Sequence, residues 1–125
     1  MTKNKSSKNW LIKRNKDLYF RQSKIYGYRS RSAFKLIEMN NKFKFLRKSS
    51  SLIDLGSSPG GWSQVASKIV IKGKILAVDI IPMEKIDNVI FLNGDFRDQK
   101  IQDISLMYRL MDCSRLNKSV VYILK

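Results

Sequence analysis

The chain has no histidine, one cysteine and two prolines, and only ten acidic residues against 25 lysines and arginines. Each shortage closes a class of chemistry. Without an imidazole, a Ser-His-Asp triad and histidine-based proton transfer are excluded. With Cys113 alone and no histidine, the ligand sets of zinc centres cannot be assembled, so no metal is expected. A single cysteine also rules out a disulfide framework, which fits a reducing compartment. No apolar run approaches the roughly 18 residues that would cross a bilayer, and the opening "MTKNKSSKNW" lacks the apolar segment of a secretory signal. A cytoplasmic protein without membrane contact is expected.

What is abundant is positive charge. The formal net charge is +15. Residues 1–48 hold 15 basic and 2 acidic side chains, and residues 49–125 hold 10 and 8. The excess therefore belongs to the N-terminal part, and a nucleic acid is the expected polyanion, ahead of a membrane surface. The plainer alternative is a solubilising tail.

Residues 1 to about 9 are, after Met1 and Thr2, Lys, Asn and Ser and are read as disordered. From Asn9 to Tyr28, and on into Arg29, aromatics and cations interleave: Trp10, Lys13, Arg14, Tyr19, Phe20, Arg21, Tyr26, Tyr28 and Arg29. Flat rings beside cations suit unpaired bases and their phosphates. Leu11, Leu18, Tyr19 and Phe20 could equally dock the segment onto a core, and both readings stay open. The division expected is a basic, partly disordered RNA-binding extension over 1–28 and the main domain over 29–125.

"SRSAFKLIEMNNKF" (30–43) reads as a helix capped by Ser30 or Ser32, with Ala33, Phe34, Ile37 and Met39 on its apolar face and Asn40 and Asn41 ending it. Lys35 lies at the edge of that face, within reach of Glu38. "SLIDL" (51–55), "KILAVDII" (74–81), "NVIFLNGDF" (88–96, with a turn at its end) and "SVVYIL" (119–124) read as strands. "GWSQVASKIV" (61–70), closed by Gly73, and residues 100–112 read as helices, the latter with Ile101, Ile104, Leu106, Met107, Leu110 and Met111 as its apolar stripe. Alternating strands and helices specify a parallel α/β sheet.

The turn "DLGSSPGGWSQ" (54–64) joins the first strand to a helix, the place where open α/β sheets bind nucleotides. A triphosphate loop would need Lys where Trp62 stands, and the dinucleotide fingerprint would need glycine at Ser58. The turn lets backbone approach a ligand but lacks the tools for pyrophosphate. Asp79 ends the second strand, where an acid accepts bonds from a ribose diol, and Asp95 follows the third, within reach of an adenine edge. Acids around the pocket favour a cationic ligand. S-adenosyl-L-methionine, a sulfonium with a ribose, an adenine and no phosphate, meets these constraints.

"YRSRSAFKLIEM" (28–39), "LIDLGSSPGGWSQ" (52–64), "KILAVDIIPM" (74–83) and "VIFLNGDFRD" (89–98) together resemble the FtsJ/RlmE family of ribosomal RNA ribose 2′-O-methyltransferases, over roughly residues 8 to 112. The resemblance implies a Rossmann-like S-adenosylmethionine-dependent methyltransferase fold. It also implies methylation of a uridine ribose in large-subunit ribosomal RNA, free or in the assembling 50S-type subunit, by a monomer. By position it implies cofactor contacts from Gly60, Trp62, Asp79 and Asp95, and Lys35 as the first catalytic lysine.

The sequence departs from that family in one region. The family's catalytic group resembles a Lys-Asp-Lys-Glu set whose aspartate ends the fourth strand in a segment like "SDMAPN". Here "SVVYILK" runs to Lys125, and Lys35 is the one member found. The expectation is an N-terminal part of such a methyltransferase, with the C-terminal part of the fold missing. An inactive remnant or a small basic rRNA-binding or assembly protein is the alternative.

Overall fold

A computed structural model of the protein describes residues 9, 10, 13, 17–112 and 120–124, for 108–112 and 120 by backbone alone. The elements are α1 (Leu18–Tyr26), α2 (Ser32–Phe43), β1 (Ser51–Leu55), α3 (Gly61–Ile69), β2 (Ile75–Asp79), β3 (Val89–Asn93), α4 (Gln99–Asp112) and β4 (Val120–Leu124). The four strands form one sheet in the order β3-β2-β1-β4, and every pairing is parallel. The chain moves outward from β1 to β3 and returns to the other side of β1 for β4. That reversal puts a topological switch point beside β1, where a crevice opens at the carboxyl ends of the strands.

Alternation along the strands sorts side chains onto two faces. Leu52, Ile75 and Ile123 join Ala33, Leu36, Leu46, Trp62, Val65, Ala66 and Val70 in the larger core, under α2 and α3. Ile53, Leu76 and Val78 form a smaller cluster on the other face, with Leu92, Phe96 and Ile101 packed on it. Burying a side chain such as Leu52 or Ile75, each about 1% exposed, contributes roughly 1.5–3 kcal/mol. The larger cluster therefore supplies most of the cohesion.

The structure corrects several local expectations. α2 starts at Ser32 with Arg31 as its cap residue, and no serine side chain caps it; Ser30 and Ser32 share a hydroxyl hydrogen bond of 2.7 Å instead. α2 runs past Asn40 and Asn41 to Phe43 and ends at Lys44 in the left-handed region, while the Asn40 Oδ1 accepts the Leu46 N–H at 2.9 Å. Its buried residues are Ala33 and Leu36. Phe34 turns to α1, where its ring meets Tyr19 and Tyr26, and to Tyr28 just beyond it, at centroid distances of 5.8, 6.2 and 5.4 Å. The stripe is offset because α2 packs against two helices, α3 and α1.

Glu38 accepts the Tyr19 hydroxyl at 2.9 Å, the bond that Lys35 was expected to offer. α3 stops at Val70 rather than Gly73, which is pressed against the Ser50 carbonyl. β2 and β3 are shorter than their apolar runs. On α4, Leu106 and Met107 are exposed rather than buried, and the side chains of Leu110 and Met111 lie outside the described residues, as do residues 1–8, Leu11 and Arg14.

α1 is capped at both ends. The Asp17 carboxylate accepts the N–H groups of Tyr19 and Phe20 and pairs with Arg31. Gly27, at φ 74°, closes the helix. Docking thus holds for Tyr19, through Phe34 and Glu38, whereas Leu18 stays exposed, as does Tyr26 away from Phe34.

Candidate functional site

The carboxyl ends of β1, β2 and β3 lie side by side and each delivers residues to the end of the sheet where open α/β folds bind ligands. After β1 the chain turns at Gly56 (φ 72°), whose N–H and that of Ser57 both bond the Val78 carbonyl of β2. Nothing lies within 4 Å of a Cβ placed on Gly56, so the space over this turn is open. The loop reaches α3 through Gly60 at φ 112°, a conformation that favours glycine. Beneath the loop, buried Asp54 accepts the Ser63 hydroxyl at 2.6 Å, fastening the end of β1 to α3.

Asp79 ends β2 and crosslinks the loops. Its Oδ2 accepts the Ser58 N–H at 2.8 Å and its Oδ1 accepts the Ile81 N–H at 2.9 Å. Each carboxylate oxygen keeps a second lone pair for a ligand hydroxyl. Across the next strand the Asn93 side-chain amide donates to the carbonyls of Asp79 and Ile80, and the Gly94 N–H also donates to Asp79. These bonds fix the turn that carries Asp95.

Asp95 is 29% exposed and paired with Arg97, whose Nη2 lies 2.6 Å from Oδ2 and whose N–H and Nε both donate to Oδ1. The Arg97 side chain, followed by its backbone N–H, holds this carboxyl at about 2, below its usual 3.8. Asp95 is therefore an ionised acceptor over the whole physiological range.

Of the residues singled out from the sequence, Gly60 and Asp79 share one bonded loop cluster, and Asp95 stands at the neighbouring strand end. Trp62 lies lower, 5% exposed within the larger core, and its indole N–H donates to the Ser32 carbonyl at 2.7 Å. Lys35 is exposed, one turn into α2, on the helix that this bond fastens to the start of α3.

Two residues with structural work at the site were not singled out for it. Arg29 was counted among cations for phosphates, yet its guanidinium donates to the carbonyls of Pro59, Glu84 and Lys85. Gln64 accepts the Arg29 N–H at 2.8 Å and donates to the Gly27 carbonyl at 3.2 Å. Backbone carbonyls from distant segments leave no mark in a sequence. Arg97, two residues after Asp95, was legible as a local pair.

The donor set fits S-adenosylmethionine better than a nucleotide phosphate. Acceptors at Asp79 and Asp95 suit hydroxyls, an amine and a positive charge, and the open space over Gly56 gives room. Among the described residues no group of three or more His, Cys, Asp and Glu could hold a metal, and no helix is long and apolar enough to cross a membrane.

Comparisons with known proteins extend this picture. A family model described as FtsJ-like methyltransferase matches residues 28–120. The ribosomal RNA large subunit methyltransferase E of Pelagibacter ubique is 50% identical over 103 residues, which cover 82% of this chain and 51% of the relative. Its namesake in Marinobacter nauticus is 46% identical over 104 residues, covering 82% and 50%. The chain thus spans about half the length of the curated relatives it matches. The crystal structure of a ribosomal RNA methyltransferase from Plasmodium falciparum superposes with a TM-score of 0.61 at 34% identity, over 78% of this chain and 56% of that one.

Proposed function

The chain belongs to the FtsJ-like methyltransferases, and from that premise we propose that it binds S-adenosylmethionine at the carboxyl ends of β1–β3 and serves 2′-O-methylation of a uridine ribose in large-subunit ribosomal RNA. One observation carries the reading: the Asp79 carboxylate is bonded to the N–H of Ser58, so the glycine loop and the acid at the end of β2 stand in direct contact. The resemblance of four sequence blocks to rRNA methyltransferases and the basic N-terminal third support the substrate class.

Bound there, S-adenosylmethionine would supply an electrophilic methyl group. Gly56 and Gly60 would let backbone approach it, Asp79 would accept from the ribose hydroxyls, and Asp95 would accept at the adenine edge. Trp62, from the core, would set the start of α3 against α2. Lys35, on α2, would polarise the attacking 2′-hydroxyl, a role that depends on holding the oxygen in line. Arg21, Lys24 and the exposed rings of Tyr19 and Tyr26 would hold RNA by phosphates and stacking. The proposed protein acts in the cytoplasm as a monomer, on free rRNA or on the assembling subunit.

A second reading is favoured by the concentration of charge before residue 49: a basic rRNA-binding protein that keeps the fold without the reaction. Calorimetric titration with S-adenosylmethionine, paired with transfer of labelled methyl groups to large-subunit particles, decides. Cofactor binding that weakens in Asp79→Asn, with transfer lost in Lys35→Ala and RNA affinity retained, is the expected result. RNA binding without any cofactor binding would leave the second reading standing and end the first.

A further inference from the structure

Arg29 lies in the connection between α1 and α2, yet its guanidinium faces the pocket loops. Nη1 donates to the Pro59 carbonyl at 3.1 Å and to the Glu84 carbonyl at 2.8 Å, and Nη2 donates to the Lys85 carbonyl at 3.0 Å. Pro59 belongs to the glycine loop; Glu84 and Lys85 belong to the loop that leaves β2. A Cβ on Gly60 would sit 2.9 Å from Ile86 Cδ1 and 3.0 Å from Arg29 Nη1, so the two loops and the guanidinium meet there. The Arg29 backbone is itself anchored to α3 through Gln64.

We propose that Arg29 is a positioning residue: it fastens the loop after β2 to the glycine loop and so holds the two walls of the pocket together. The inference rests on the cofactor reading above for what the pocket binds. Apart from Arg29, the described side-chain hydrogen bonds between the loops are Asp79 to Ser58, Ser58 Oγ to the Pro82 carbonyl at 3.4 Å and Ser57 Oγ to Met83 Sδ at 3.6 Å. The Pro82 contact is long and the thioether is a weak acceptor, so the strong bonds described between the loops are those of Asp79 and Arg29. A planar fork can bridge carbonyls of two segments in a fixed geometry, which the point charge of a lysine cannot reproduce. A cation kept for RNA phosphates would instead turn its fork outward.

The test compares the wild-type chain with Arg29→Ala and Arg29→Lys. Amide exchange at Ser58 and Val89 in the ligand-free chain should speed up roughly tenfold or more in both variants, the effect of losing one charge-assisted hydrogen bond. Ile53 and Ala77, in the strands, should exchange as before. Affinity for S-adenosylmethionine should fall by a similar factor, and millimolar guanidinium should restore part of both in Arg29→Ala. The dependence of RNA binding on salt should not change. Unaltered exchange in both variants would overturn the proposal. So would full recovery in Arg29→Lys with a salt slope in Arg29→Ala lower by about one, the mark of a phosphate contact. If Arg29→Ala loses protection throughout the sheet, Arg29→Lys alone decides by the same criteria. Should the wild type fail to bind S-adenosylmethionine while the exchange result holds, the clamp stands and the cofactor reading falls.

Discussion

Gly61 opens α3 where Ser30, at the entry to α2, leans on it, and replacing it with alanine probes that contact. The added Cβ would overlap Ser30 Oγ and lie 3.3 Å from Ser30 Cβ. The hydroxyl has to leave, which gives up its bond to Ser32 at a cost of about 1 kcal/mol. The remaining tight contact adds an overpacking term of about 1–3 kcal/mol, partly offset by up to ~1 kcal/mol from the better helix propensity of alanine. Gly61→Ala should therefore destabilise the chain by about 1–3 kcal/mol. Ser30→Ala alone should cost only about 1 kcal/mol for the lost hydroxyl bond. In the double variant the overlap has gone, so the two changes should be less than additive by about 1–2 kcal/mol. Urea unfolding of the four proteins, followed by far-ultraviolet circular dichroism, measures the cycle. Additivity to within roughly 0.5 kcal/mol would refute the reasoning, because it would mean that Ser30, at the entry to α2, is not seated against Gly61.

Gly73→Ala should be worse and beyond rescue by any side-chain change. Its Cβ would overlap the Ser50 carbonyl oxygen and come within 2.7 Å of its carbon, and backbone cannot rotate away; we expect a loss of more than about 3 kcal/mol in the same urea assay. Asp95 should titrate at about 2 by carboxyl-carbon NMR, and Arg97→Ala should bring it back towards 3.8. Because the folded value is the lower one, the stability this pair contributes is present above the ordinary carboxylate range and is lost as pH falls through about 2.

The layered fold was legible because short apolar runs of strand length, "SLIDL", "ILAVD" and "VIFLN", alternate with stretches such as "GWSQVASKI" whose apolar residues recur at helical spacing. The β-then-glycine-then-helix order also placed the loop and both acids at neighbouring strand ends. Illegible were features that depend on two partners at once. Phe34 looks like a core residue until α1 is known to cover it, and Leu36 replaces it beneath. Serines at the start of α2 look like caps, but Ser30 and Ser32 satisfy one another. Arg29 looks like one more cation in a basic segment, since its three acceptors are main-chain atoms that any residue would provide.

The sheet's two faces also set the chain's behaviour in solution. Opposite the larger core, Tyr122 and Leu124 are 49% and 72% exposed, and Ile90, Leu106 and Met107 are exposed as well. An apolar surface of this kind draws copies together, while a net charge of +15 drives them apart. The two forces differ in range. Salt shortens the reach of the repulsion, from about 10 Å at 0.1 M to about 3 Å at 1 M, and leaves apolar attraction in place. Colloidal stability should therefore be greatest in dilute buffer and should decline as ionic strength rises. A polyanion bound along the basic segment would cancel the same repulsion.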